Sequence, residues 1–273
     1  MQKHLLLTVS DEPSALFGVR FVNAFFRNKD QIKFTLFFIT PLGQQTSSSV
    51  PKSEEENTCD LALEKSMHSL ITGGFMQENV LCKIKKRIVS AARDIITEGN
   101  KGLYDAIVLG RRGITRLEEL IKDSVSIRVL EEKRKSPIWI CRQIDPKRKD
   151  VLVCVDGSEE SLRMVDHVGF FLSGEPDHKI TLLHVQQEPT ETDSMFQQAM
   201  ESLKEHDIDE SRVQSKIVKS SNVASTIEQE ARTGMFSAIA VGYTGKGRRG
   251  VLTIGSVATK LCYEVTGSAL WIG

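Results

Sequence analysis

Cysteine is scarce and scattered in this 273-residue chain: Cys59, Cys82, Cys141, Cys154 and Cys262 are five in all, with no Cys-x-x-Cys pair. An odd, dispersed set argues against both a disulfide framework and a zinc site, so these thiols read as small buried or incidental residues. The six histidines are equally dispersed and give a metal reading no constellation to stand on. Net charge is also lacking, because 36 basic residues cancel 36 acidic ones. That removes the case for a nucleic-acid partner bound by neutralising many phosphates, and any anion binding must be local. No apolar run approaches the length of a membrane span. The N-terminal MQKHLLLTVSDEPS turns polar after a few apolar residues, without the features of a secretory signal, so the expected location is the cytoplasm. There is no Gly-x-x-x-x-Gly-Lys-Ser/Thr loop, no carboxylate set near a phosphate site and no nucleophile with a partnered base, and hence no evident hydrolytic centre.

What the chain does contain is itself, twice. LLLTVSDEPSALFGVRFV from Leu5 overlies VLVCVDGSEESLRMVDHV from Val151 without a gap, and KFTLFFI from Lys33 covers KITLLHV from Lys179. Leu16, Val19 and Val22 then match Leu162, Val165 and Val168, one helical stripe in each copy. At the far ends the pairs Gly110/Gly242, Gly113/Gly245, Ser124/Ser256, Val125/Val257 and Trp139/Trp271 fall in register. Two domains are expected, 1–144 and 149–273, with DPKRKD (145–150) as the linker. The longer first copy carries its excess in GQQTSSSVPKSEEENT (43–58), which has almost nothing to bury and reads as a flexible loop.

Each copy alternates short apolar strands with helical patterns. This predicts an α/β fold, two tandem five-stranded parallel sheets, each doubly wound with helices on both faces. Ser158 is placed to cap SEESLRMVDHVGFFL, with Glu159 and Glu160 in the first turn, and SNVASTIEQEARTG begins at a serine cap candidate, Ser221, and ends at Gly234. Ligands of such sheets sit beyond the carboxyl ends of the strands, where strand order reverses.

Three features of the second copy converge there: Val155-Asp156-Gly157 after the first strand, Val241-Gly242 after the fourth, and Gly255-Ser256 opening the last helix. A helix start preceded by glycines offers N–H groups and partial positive charge to an anion, and glycine lets a phosphate reach the backbone. The Ser256 hydroxyl can add a bond, and a carboxylate at Asp156 suits the hydroxyls of a ribose or the amine of adenine. Lys246, Arg248 and Arg249 have two readings, phosphate contact or solvated loop. His184 reads as a packed or hydrogen-bonded histidine, and Trp139 and Trp271 as core or interface anchors.

With Gly242, Gly245, Gly255 and Ser256 spaced as glycine, two residues, glycine, nine residues, glycine, serine, and with Asp156 after the first strand, the chain resembles a tandem universal stress protein over essentially its whole length. The resemblance implies an adenosine pocket lined by Cys154, Val155, Asp156 and Val185. It further implies that backbone from Gly242 through Thr244 to Gly245, and from Gly255 through Ser256 to Val257, holds ribose and phosphates. The ligand implied is ATP, with AMP or ADP as alternatives and magnesium accompanying ATP. The partners implied are the adenine nucleotide, the other domain of the same chain, and a second chain in a homodimer, with no nucleic acid or membrane.

The first copy departs from the pattern. Asp123 replaces the glycine at the helix start and Ser10 takes the place of Asp156. A carboxylate where a polyphosphate should sit repels it by a few kcal/mol at close range, so this copy is expected to bind ATP poorly. Asp11 beside Glu12 and Pro13 reads as a helix cap, with a different ligand as the other reading. Function therefore reads as nucleotide-dependent sensing or regulation in a stress response, with little or no hydrolysis. The alternatives are a ligand-independent interaction module and a slow ATPase.

Overall fold

Three consecutive leucines in the first strand, Leu5, Leu6 and Leu7, are each fully buried, which a strand achieves only when both faces of its sheet are covered. The computed structural model describes residues 2–12, 15–40, 54–110, 125–132, 135–189, 191–245 and 254–273. It divides into two units, Met1–Arg142 and Gln143–Gly273.

The first unit runs β1 (Lys3–Val9), α1 (Leu16–Phe25), β2 (Ile32–Thr40), α2 (Glu54–Thr72), β3 (Val80–Lys86), α3 (Ala91–Lys101), β4 (Ala106–Gly110), α4 (Val125–Glu131) and β5 (Ile138–Cys141). Its strands pair in the order β3-β2-β1-β4-β5, all parallel. The second unit repeats this with β6 (Val151–Cys154), α5 (Glu159–Leu172), β7 (Ile180–Gln186), α6 (Asp193–Lys204), β8 (Val213–Lys219), α7 (Val223–Thr233), β9 (Ala238–Val241), α8 (Ser256–Glu264) and β10 (Ala269–Ile272). Its order is β8-β7-β6-β9-β10, again parallel. In each unit strand order reverses beside the first strand, which opens a crevice at the carboxyl edge between β1 and β4, and between β6 and β9. The predicted fold class is the observed one.

The outer strands β3 and β8 depart from the apolar rule. Lys83 and Lys86, like Lys216 and Lys219, stand among exposed residues there, as suits a sheet edge that must not recruit another strand. No helix among the described residues is long and apolar enough to cross a membrane.

Local chemistry explains where the elements start, and it corrects the sequence reading in three places. Helix α2 begins at Glu54, so residues 54–58 are helical rather than loop, while 43–53 lie outside the described residues. Helix α7 is capped by Asn222, whose side chain accepts from Ser225 N at 3.3 Å, not by Ser221. Ser220 instead turns its hydroxyl to Asn222 N at 3.1 Å, setting the backbone before the cap. Asp11 does not cap α1, which starts behind Ala15 with no side-chain cap among the described residues. Residues 145–150, between the two copies, also bond to the second unit: Arg148 Nη1 donates to Ser268 Oγ at 2.8 Å and Ser237 N to Asp150 O at 2.8 Å. An Asn222→Ala variant should lose about 1 kcal/mol of stability in the second unit, seen as a lower urea midpoint at unchanged slope; an unmoved midpoint would refute the cap assignment.

Candidate functional site

The turn after β6 is built by its own side chains. Gly157 has φ +78°, a backbone conformation that favours glycine. Across it, Asp156 Oδ1 accepts from Ser158 N at 2.9 Å and from Ser158 Oγ at 2.5 Å. Ser158 Oγ accepts in turn from Ser161 N at 3.2 Å, capping α5 as its sequence position predicts. One carboxylate oxygen of Asp156 therefore orients the start of a helix, a role the sequence reading did not assign. The other, Oδ2, faces Gly245, where an added Cβ would lie 2.9 Å from it.

The two glycine positions opposite are close approaches of backbone to backbone. A Cβ on Gly242 would stand 3.0 Å from Ser161 N and 3.1 Å from the Glu160 carbonyl carbon, so β9 ends hard against the first turn of α5. A Cβ on Gly255 would meet Tyr243 O at 3.2 Å and Thr244 Cα at 3.4 Å. Gly255 N donates to Tyr243 O at 2.8 Å, joining the two sides of segment 246–253. Lys246, Arg248 and Arg249 belong to that segment and lie outside the described residues. Gly255 stands at the N-cap of α8 and no side chain among the described residues caps that helix, so its first-turn N–H groups are offered to whatever occupies the cleft beside them.

All ten residues singled out from the sequence, Cys154, Val155, Asp156, Val185, Gly242, Thr244, Gly245, Gly255, Ser256 and Val257, line one cleft of about 230 Å³ at the β6/β9 crevice. The sequence reading missed its apolar wall, formed by Leu183 on β7 with Val223 and Ile227 on α7. Val223 and Ile227 are four apart, the spacing that puts two side chains on one helix face. His184 also borders the cleft. Its Nδ1 lies 2.8 Å from Val155 O, an atom that only accepts, so that nitrogen carries the proton and the ring is held in place. Burial, reinforced by the Asp156 charge, pushes the Cys154 thiol well above its ordinary value; it serves as a small wall residue and not as a nucleophile.

No group of three or more His, Cys, Asp or Glu among the described residues is placed to hold a metal ion. Asp156 is the one carboxylate among the described lining, and it is engaged with Ser158. These residues do not make a protein-held magnesium site.

The first unit has a cleft at the corresponding edge, lined among others by Thr8, Ser10, Asp11 and Gly110. Ser10 Oγ accepts from Glu12 N at 3.3 Å, a weaker version of the Asp156–Ser158 turn. Gly113, Asp123 and Ser124 lie outside the described residues.

Comparison with known proteins agrees with this fold. The model of the universal stress protein family matches residues 147–270. No curated protein matches the chain. Among solved structures, a universal stress protein from Archaeoglobus fulgidus DSM 4304 superposes with a TM-score of 0.71 at 16% identity, over 98% of this chain and 97% of that one. A protein of Pseudomonas aeruginosa UCBPP-PA14 assigned to the same family gives 0.61 at 12% identity, over 99% and 92%. The cytoplasmic domain of a prokaryotic cation chloride cotransporter gives 0.56 at 10% identity, over 100% and 95%. At these identities the structural likeness establishes a shared fold. Residues 147–270 belong to the universal stress protein family, and the unit before them repeats their fold.

Proposed function

We propose that the second unit binds ATP in the β6/β9 cleft and that the chain acts in a stress response as a nucleotide-dependent regulator with little or no hydrolysis. The observation that carries this reading is the meeting of Asp156, Thr244 and the uncapped start of α8 around one cleft with an apolar wall. Adenine would lie against Leu183, Val185 and Ile227, the ribose hydroxyls would donate to Asp156, and the phosphates would meet the N–H groups of the first turn of α8. Regulation then requires that ATP bind two states of the protein with different affinity.

A second reading, a ligand-independent interaction module, is favoured by one feature. Gly242 and Gly255 are already required by close backbone packing, and Asp156 by the α5 turn, whether or not a ligand is bound. Calorimetric titration of nucleotide-stripped protein with ATP, ADP and AMP separates the two. Saturable heat at submillimolar ATP supports the first reading, and silence toward all three nucleotides leaves the module. Asp156→Asn keeps an acceptor for Ser158 but removes the charge. It should weaken ATP about tenfold while leaving the melting temperature within a few degrees. A collapse of stability without change in affinity would assign Asp156 to the turn alone.

A further inference from the structure

The first unit's cleft has exchanged its polar groups rather than lost them. Phe37, Ile39 and Ile95 form an apolar wall where Leu183, Val185 and Ile227 stand in the second unit. The carboxylate of Asp156 is gone, replaced by the Ser10 hydroxyl. A cation has appeared at another place: Arg87 follows the edge strand β3 and its N–H meets Thr40 O at 3.1 Å, just as Ser220 follows β8 and meets Gln186 O at 3.1 Å. Arg87 therefore occupies the position of a neutral serine.

Arg87 lines the cleft, and its Nε is buried without a hydrogen-bond partner. Among the described residues its guanidinium makes no ion pair or side-chain hydrogen bond. Neighbouring cations of the same strand are engaged, Lys83 with Glu98 at 2.7 Å and Lys85 with Asp94 at 3.0 Å. A donor withdrawn from water with no acceptor costs free energy, and a ligand oxygen arriving in the cleft would remove that cost. A guanidinium presents parallel N–H groups that match a planar carboxylate. Among the described lining residues, Asp11 and Glu12, both exposed at the rim of the same cleft, set two negative charges against the one cation Arg87, which disfavours a polyphosphate and leaves room for a single negative head beside Arg87.

We propose that the first unit's cleft binds a small monocarboxylate with an apolar body, its head on Arg87 and its body against Phe37, Ile39 and Ile95. The full chain is titrated with 3-phenylpropionate, with the neutral 3-phenylpropanol and with phenyl phosphate, and methyl spectra are followed at Ile39 and Ile95 in one unit and Ile227 in the other. The carboxylate should bind saturably, shift Ile39 and Ile95 but not Ile227, and bind about tenfold or more tightly than the alcohol. Arg87→Gln should remove that preference while its thermal melt stays that of the parent. Absence of carboxylate binding by the parent chain overturns the proposal. So does equal binding by Arg87→Gln, tighter binding of the phosphate, or shifts confined to Ile227. Titration of Arg87→Gln with ATP reads the second unit separately, so failure of either site is seen independently of the other.

Discussion

Replacing Gly255 with aspartate should lower ATP affinity by on the order of 10²- to 10³-fold, the factor that follows from a like-charge repulsion of a few kcal/mol at about 4 Å in a partly solvated site. The geometry divides this loss into two parts. Gly255 has φ −65° and ψ 151°, which any residue adopts, so backbone strain plays no part. A Cβ would stand 3.2 Å from Tyr243 O and 3.4 Å from Thr244 Cα, tight enough to shift the Tyr243–Gly245 strand of the cradle by a few tenths of an ångström. Gly255→Ala carries only this steric part and should cost less than about tenfold, whereas Gly255→Asn carries nearly the bulk of aspartate without its charge. If asparagine is as damaging as aspartate, the loss is one of shape, and charge does not explain why the first copy, with Asp123 at this position, is expected to bind ATP poorly. If aspartate binds as tightly as the parent, phosphates do not sit at the start of α8. All three variants should keep a parental circular-dichroism spectrum and a cooperative melt, at a lowered midpoint because Gly255 is buried and a Cβ there crowds the Tyr243–Thr244 backbone.

Much of this molecule is legible in its sequence because the physics that builds it leaves a local signature. Buried parallel strands must be apolar on both faces, so β1, β2, β6 and β7 stand out as runs. The glycine-lined edge of the proposed site is equally legible, since it is made of backbone and only glycine at fixed spacing exposes backbone so closely. Its apolar wall is not: Val223 and Ile227 carry the same pattern as any buried helix face, and nothing local separates a side chain facing a cleft from one facing the core. The start of α2 was hidden because three consecutive glutamates suit both a solvated loop and an acidic helix N-terminus. The cap of α7 was missed by one residue because Ser221 and Asn222 are both good caps, and only the backbone geometry selects between them. Asp156 shows the deeper limit. Its position after β6 suggests a ligand group, yet the same carboxylate fastens the turn that starts α5, and type and spacing alone assign only one of these roles.

The repeat also places a histidine where its twin has a phenylalanine, and this should make the second unit acid-sensitive. Phe21 stacks on Phe25 at 5.0 Å and meets Trp139 edge-on at 6.0 Å. His167, at the matching place on α5, lies 4.8 Å from Phe171 and 5.9 Å from Trp271, and is only 8% exposed. Burial lowers its pKa from 6.5 to about 3, because an imidazolium among aromatic rings is deprived of water. The unfolded chain takes up the proton first as pH falls. The favourable term is therefore fully present above pH 6.5 and is lost progressively down to about pH 3. The slope is about 1.4 kcal/mol per pH unit, amounting to on the order of 5 kcal/mol across the window. Hydrogen exchange of the β9 and β10 amides, measured from pH 7 to pH 4 and corrected for intrinsic rates, should show this slope in the parent. His167→Phe, which installs the first unit's own solution, should flatten it to the contribution of the unit's other titratable groups. Proton NMR offers a second check, since the His167 ring should remain neutral at pH 5, where an exposed histidine is charged. Parallel curves for parent and variant, or a His167 ring that titrates near pH 6.5, would show that the imidazole retains access to water and that the acid response of this unit arises elsewhere.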